Sequence, residues 1–121
     1  MNINHFLPFV HAKDFKASKT FYSDLGFEIV WEDEDLVRFR SGYFEFFLEN
    51  LYVKAFAENL IIHININDFA KTYDFMEKIV NQYTNCKITK PKKEYYGLAF
   101  KIVGPSGERW DIVEGTQKSS D

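Results

Sequence analysis

The segment Val10-His11-Ala12-Lys13-Asp14-Phe15 is echoed 54 positions later by Ile64-Asn65-Ile66-Asn67-Asp68-Phe69. Counted from each Asp, Phe15 matches Phe69, Phe21 matches Phe75, Tyr22 matches Met76 and Leu25 matches Ile79. One Asp-Phe coincidence would carry little. Four apolar matches at the same offsets indicate one structural unit used twice, and a single duplication is too few for a solenoid. With 121 residues, both copies must share the volume of one ordinary domain.

Each copy opens with a strand that runs into a helix. Asp14 and Asp68 stand where an N-cap carboxylate would accept a first-turn N–H and meet the positive end of the helix dipole. The apolar spacing predicts a helix over 15–25, with Phe21 and Leu25 one turn apart and Gly26 placed for a left-handed stop. A second helix is expected over 69–83, striped by Phe69, Met76, Ile79, Val80 and Tyr83. Strands are expected over 27–31, 36–40 and 43–48, parted by the acidic turn 32–35 and by Ser41-Gly42. Three more, over 86–89, 97–103 and 109–113, are parted by a Lys/Pro loop and by Gly104-Pro105-Ser106-Gly107. The fold class is therefore α+β. Two βαβββ modules, about 1–54 and 55–114, make one domain over 1–114, and the polar tail 115–121 is expected to fray.

Alternation assigns single residues to faces. Trp31 should share the apolar side of its strand with Phe27 and Ile29, while Trp110 and Ile112 pack beneath the helices and Asp111 points the other way. Glu45 interrupts an aromatic run and shares the Tyr43/Phe47 face, so it needs a donor or cation, and Arg38 and Arg40 are within the same half. Lys87, Lys90, Lys92 and Lys93, around Pro91, read as a solvated loop. Cys86 lacks the setting of a nucleophile and reads as a buried thiol.

Three stretches bring a family into view. Pro8 to Asp14, followed by Phe21-Tyr22-Ser23-Asp24-Leu25-Gly26-Phe27, resembles the opening strand and helix end of the glyoxalase/bleomycin-resistance/dioxygenase (vicinal oxygen chelate) superfamily. Tyr43-Phe44-Glu45-Phe46-Phe47 is similar to the closing strand of the first half in its bleomycin-resistance members. Gly97 to Gly107, then Arg109 to Glu114, resembles the terminal hairpin and last strand. The resemblance covers nearly the whole chain. It implies a curved mixed sheet with a concave trough, and a homodimer in which a second subunit helps to build that trough.

In the family's metalloenzymes four side chains hold one divalent ion and leave positions open for a substrate with two adjacent oxygens. By the family's spacing those positions fall on Leu7, Glu45, Ile61 and Asp111, and two of them are hydrocarbon. His5 and His63 keep the strand parity of Leu7 and Ile61, so His5, Glu45, His63 and Asp111 form the metal set to consider if a metal binds. Each His is displaced by two residues, roughly 6.6 Å along a strand. The resemblance thus implies a metal-independent protein without cofactor, which binds a small organic molecule, antibiotics and drugs included. Phe9, Glu45, Phe47, His63, Tyr96 and Asp111 are the expected lining. Two alternatives stay open: a divalent-metal lyase, isomerase or dioxygenase, and a structural or interaction domain whose trough is filled by side chains.

Composition excludes more than it assigns. A net charge of −3 lacks the basic surface a nucleic-acid partner needs, and no apolar run is long enough to span a membrane. No basic, apolar leader opens the chain, and its single Cys suits a reducing compartment, so the cytoplasm is the expected location. The aromatic fraction of 18% exceeds what a small core needs and suits a ligand-lining face or a subunit interface.

Overall fold

A computed structural model of the protein describes residues 1–115. The expected tail lies, beyond Gly115, outside the described residues. The described chain divides into two compact units: Met1–Leu60 with Pro105–Glu108, and residues 61–104 with 109–115.

In the first unit, β1 (Phe9–His11), α1 (Phe15–Asp24), β2 (Glu28–Glu32), β3 (Leu36–Ser41) and β4 (Phe44–Glu49) follow in the expected order. A short helix, α2 (Lys54–Asn59), comes next. The sheet runs β1-β4-β3-β2, with β1 parallel to β4 and the rest antiparallel. Asp14 caps α1 as its sequence position predicts, its carboxylate accepting from Ala17 N at 3.1 Å. Gly26, at φ 106, ends the helix in a backbone conformation that residues with a Cβ avoid. One face of the sheet packs Val10, Val37, Phe39, Phe46 and Leu48 against Phe21 and Tyr22 of α1, and each of these residues is fully or almost fully buried. Tyr22 makes edge contacts with Phe27 and Phe46, at centroid distances of 6.0 and 5.2 Å.

The turn Pro105–Glu108 completes this unit through two polar contacts. Ser106 Oγ accepts from Lys13 N at 2.8 Å, and the Tyr22 hydroxyl donates to Glu108 Oε2 at 2.5 Å. Glu108 Oε1 also accepts from Ser106 N at 2.9 Å. Glu108 is fully buried, and that burial pushes its carboxyl above the usual carboxylate range, against the pull of these hydrogen bonds.

In the second unit, β5 (Ile61–Ile66), α3 (Phe69–Val80), β6 (Lys87–Ile88), β7 (Lys92–Glu94), β8 (Gly97–Val103) and β9 (Arg109–Glu114) form a sheet in the order β5-β9-β8-β6. Here β5 is parallel to β9, repeating the topology of the first unit. Ile62, Phe100, Ile102, Trp110 and Ile112 fill the core face, with Met76 and Val80 buried on α3. Among the described residues no helix is long and apolar enough to cross a membrane.

The structure corrects several expectations. Asp68 makes no side-chain cap; its own backbone is left-handed, at φ 54 and ψ 50, rather than in the extended conformation typical of an N-cap. The second long helix stops at Val80 rather than Tyr83. Phe75 is 48% exposed whereas its counterpart Phe21 is fully buried, so the repeat preserves the Tyr22/Met76 position but not this one. The Lys/Pro loop is one edge strand broken at Lys90-Pro91, whose halves β6 and β7 both pair with β8. Proline cannot donate to a ladder, and exposed lysines keep such an edge from pairing with other chains. Trp31 is 49% exposed instead of core, and its displacement shapes the site described next.

Candidate functional site

Strand alternation gives each sheet a helix-covered face and an opposite one, and the second face carries the candidate residues. In the first unit the register aligns Phe9 with Phe47, Phe47 with Arg38, and Arg38 with Trp31, a single row across all four strands. Trp31 joins it because of a bulge. Ile29 pairs with Phe39 on the core face, but the register then slips so that Trp31 pairs with Arg38 on the other. The Phe9 and Phe47 ring centroids lie 4.9 Å apart, and the Arg38 guanidinium sits 5.9 Å from the Phe47 centroid. Phe9 is 49% exposed, so the row offers flat apolar surface at both ends.

The next row is ionic. Glu45 pairs in register with Arg40, which pairs with Glu28. Arg38 Nε donates to Glu45 Oε1 at 2.5 Å, and Arg40 reaches Glu28 Oε1 at 3.0 Å. Glu45 thus finds the internal cation its position requires. The hydrogen bond from Arg38 holds its carboxyl below the usual range, with burial opposing and the charges of Arg38, Arg40 and His5 adding to the effect. His5 is exposed and precedes β1.

In the second unit His63 faces Asp111 across the β5–β9 pair, and Asp111 faces Lys101 across β8–β9. Arg109 grips Asp111 with two parallel hydrogen bonds, Nε to Oδ1 at 2.8 Å and a terminal nitrogen to Oδ2 at 3.0 Å. These bonds hold the Asp111 carboxyl below its ordinary value despite burial, with Arg109, Lys101 and His63 charges contributing. Asp111 is 7% exposed, whereas Tyr96 is 39% exposed, its ring 5.7 Å from that of His63. Burial raises the Tyr96 hydroxyl, and the nearby carboxylates of Glu94 and Asp111 raise it further. Lys101 Nζ lies 3.9 Å from Glu94.

Of the six expected lining residues, Phe9, Glu45 and Phe47 therefore share one face of the first unit. His63, Tyr96 and Asp111 share one face of the second. Arg38, Arg109, Lys101 and Trp31 join them. The two arginines were foreseeable only as the counter-ions a desolvated carboxylate demands. Trp31 left no signal in the sequence, because its alternation points the wrong way until the bulge is known.

The register also tests the donor set a metal would need. Ile61 pairs with Arg109, whereas Asp111 pairs with His63. Two residues before the Phe9–Phe47 pair, Leu7 falls level with Glu45 by the same logic. Leu7 thus meets Glu45 in the first unit and Ile61 meets Arg109 in the second, so each pair offers one hydrocarbon beside either a carboxylate already bonded to Arg38 or a cation. Among the described residues no group of three or more His, Cys, Asp or Glu side chains is placed to hold a metal ion. These residues do not fit a divalent metal.

The chain matches no family model, and no curated protein sequence matches it. Solved structures do match. A bleomycin-binding protein from bleomycin-producing Streptomyces verticillus, solved with copper(II)-bleomycin, superposes with a TM-score of 0.82 at 20% identity, covering 96% of this chain and 99% of its own. An antibiotic-binding protein from a Streptomyces species gives 0.76 at 14% identity, covering 96% and 99%. A lactoylglutathione lyase from Agrobacterium tumefaciens gives 0.68 at 16% identity, covering 95% and 96%. The chain therefore has the fold shared by bleomycin-binding proteins and glyoxalase-related enzymes.

Proposed function

We propose that this protein binds a small, planar organic molecule, an antibiotic or similar drug, without a metal and without chemistry on its ligand. The observation that carries the reading is the row Phe9–Phe47–Arg38–Trp31, which spans one sheet and leaves Trp31 and Phe9 half-exposed. Flat rings and a guanidinium stack on flat ligands. The carboxylates beside that row, Glu45 and Glu28, are already paired with Arg38 and Arg40, which leaves the face nearly neutral and suits stacking better than ion capture. The bleomycin-binding and antibiotic-binding proteins that share the fold support the same ligand class. We further place the protein in the cytoplasm as a homodimer, since half-exposed aromatics on both units would gain from a second copy.

Tryptophan fluorescence tests the reading directly, because Trp110 is 2% exposed and Trp31 is 49% exposed. In a Trp110→Phe background, a bound planar ligand quenches Trp31 saturably, and in titration calorimetry Trp31→Ala weakens binding about tenfold, the scale of one lost stacking contact. The ligands to screen first by thermal shift are planar, cationic and antibiotic molecules, bleomycin among them. Sedimentation velocity reads the oligomeric state. Near one equivalent of divalent metal in protein purified without chelator, lost in Glu45→Ala, would overturn the metal-free reading.

A further inference from the structure

The first unit holds a second concavity beside the aromatic row, between β1 and α2. It encloses about 360 Å³ and is lined by Phe9, His11, Ala55, Phe56, Asn59 and Leu60. Its walls are mostly hydrocarbon, and Phe56 at its mouth is 67% exposed. His11 supplies the polar anomaly. Its Nδ1 is sealed from solvent and has no hydrogen-bond partner, while its Nε2 lies 3.7 Å from Glu49 Oε1. A neutral imidazole with its proton on Nε2, the side facing Glu49, offers Nδ1 as an acceptor. A buried polar atom left unpaired is costly, so its persistence in an apolar recess calls for an explanation.

The helix that lies against the imidazole is short and uncapped. α2 is six residues long, starts at Val53 without a side-chain cap, and lays Phe56 edge-on against the imidazole at 5.9 Å between centroids. A small shift of α2 would open Nδ1 to the recess. We propose that this recess is a binding site of its own, for a single-ring aromatic molecule carrying a hydroxyl or N–H donor. The ring packs against Phe9, Phe56 and Leu60, and the donor bonds His11 Nδ1.

Solution NMR with 4-methylphenol and toluene as probes decides it, since the two differ only in the donor. The phenol should give saturable shifts confined to residues 9–11 and 55–60 and should move the His11 Nδ1 resonance. Toluene should bind about fivefold more weakly, the share of one net hydrogen bond. His11→Phe should erase that preference. Phe56→Ala, at an exposed position where folding is not at stake, should weaken both probes. Equal affinities with Nδ1 unmoved, shifts centred on Trp31 or His63 instead, or no saturable shift in 55–60 would each overturn the proposal.

Discussion

Removing the Tyr22 hydroxyl, by Tyr22→Phe, tests how the terminal turn is held to the first unit. Tyr22 and Glu108 are both fully buried, and a 2.5 Å hydrogen bond joins them. Loss of one such bond, with the Oε2 acceptor then unpaired, costs about 1.5–3 kcal/mol. For a domain of this size each kcal/mol moves Tm by about 4 °C, so a fall of roughly 6–12 °C is expected in calorimetry. Glu108→Gln separates charge from shape. Its amide can accept from Ser106 N with one end and donate to the Tyr22 oxygen with the other, so the change at pH 7 should stay within about 1 kcal/mol. The two variants also differ in pH dependence. Burial raises the Glu108 carboxyl in the folded state, so the folded protein holds that proton more tightly than the unfolded chain. Its contribution is complete below the ordinary value of 4.5 and is lost as pH rises through the folded value. Glu108→Gln should flatten that decline. A Tyr22→Phe protein within 0.5 °C or so of wild type, or a Glu108→Gln protein with an unchanged slope above pH 4.5, would refute the account.

Three further outcomes follow from the same geometry. Trp31→Ala should cost no more than about 1 kcal/mol in urea unfolding, because the residue is 49% exposed and lies on the face away from the core, even as it weakens ligand binding. Asp111→Asn leaves Arg109 without its carboxylate and should cost at most about 1 kcal/mol, since the arginine is 40% exposed and screened by water. The Asp111 contribution is present above its ordinary 3.8 and disappears as pH falls through its lowered folded value, so the variant should differ least from wild type in strong acid. Gly107→Ala should destabilise by about 1–2 kcal/mol in thermal unfolding, because φ is 93° and the new Cβ would stand 2.9 Å from Glu58 Cγ.

The duplication, the α+β class and most strands were legible because periodicity and turn chemistry are local. Asp14, Gly26 and the run 97–103 behave as their neighbours in sequence dictate. Failures cluster where a non-local event intervenes. The slip between Ile29 and Trp31 is decided by pairing with β3, and everything beyond it changes face. α2 was invisible because six residues give too little periodicity to see. Glu108 drew no attention, since nothing in the string Pro-Ser-Gly-Glu announces that its carboxyl will be buried against a tyrosine 86 positions away. The carboxylates Glu45 and Asp111 could be picked out, but their register could not, and register separates a ligand cage from two unrelated ion pairs.

The titration directions bear on whether these faces do chemistry. A general base must sit near the working pH, which for a carboxylate means being raised by burial or by a like charge. Glu45 and Asp111 are pushed the other way, each by an arginine hydrogen bond, and so are weaker bases than free carboxylates. Tyr96 is raised, which makes it a poorer acid. Among these described groups the one carboxyl shifted upward is Glu108, and it is sealed from solvent with its oxygens already committed to Tyr22 and Ser106. The protein thus places its proton-active carboxyl where no ligand can reach and arms its open faces with neutralised pairs and rings. On the proposed reading, such faces would hold a flat ligand equally before and after any bond change, and uniform binding of that kind gives affinity without rate enhancement.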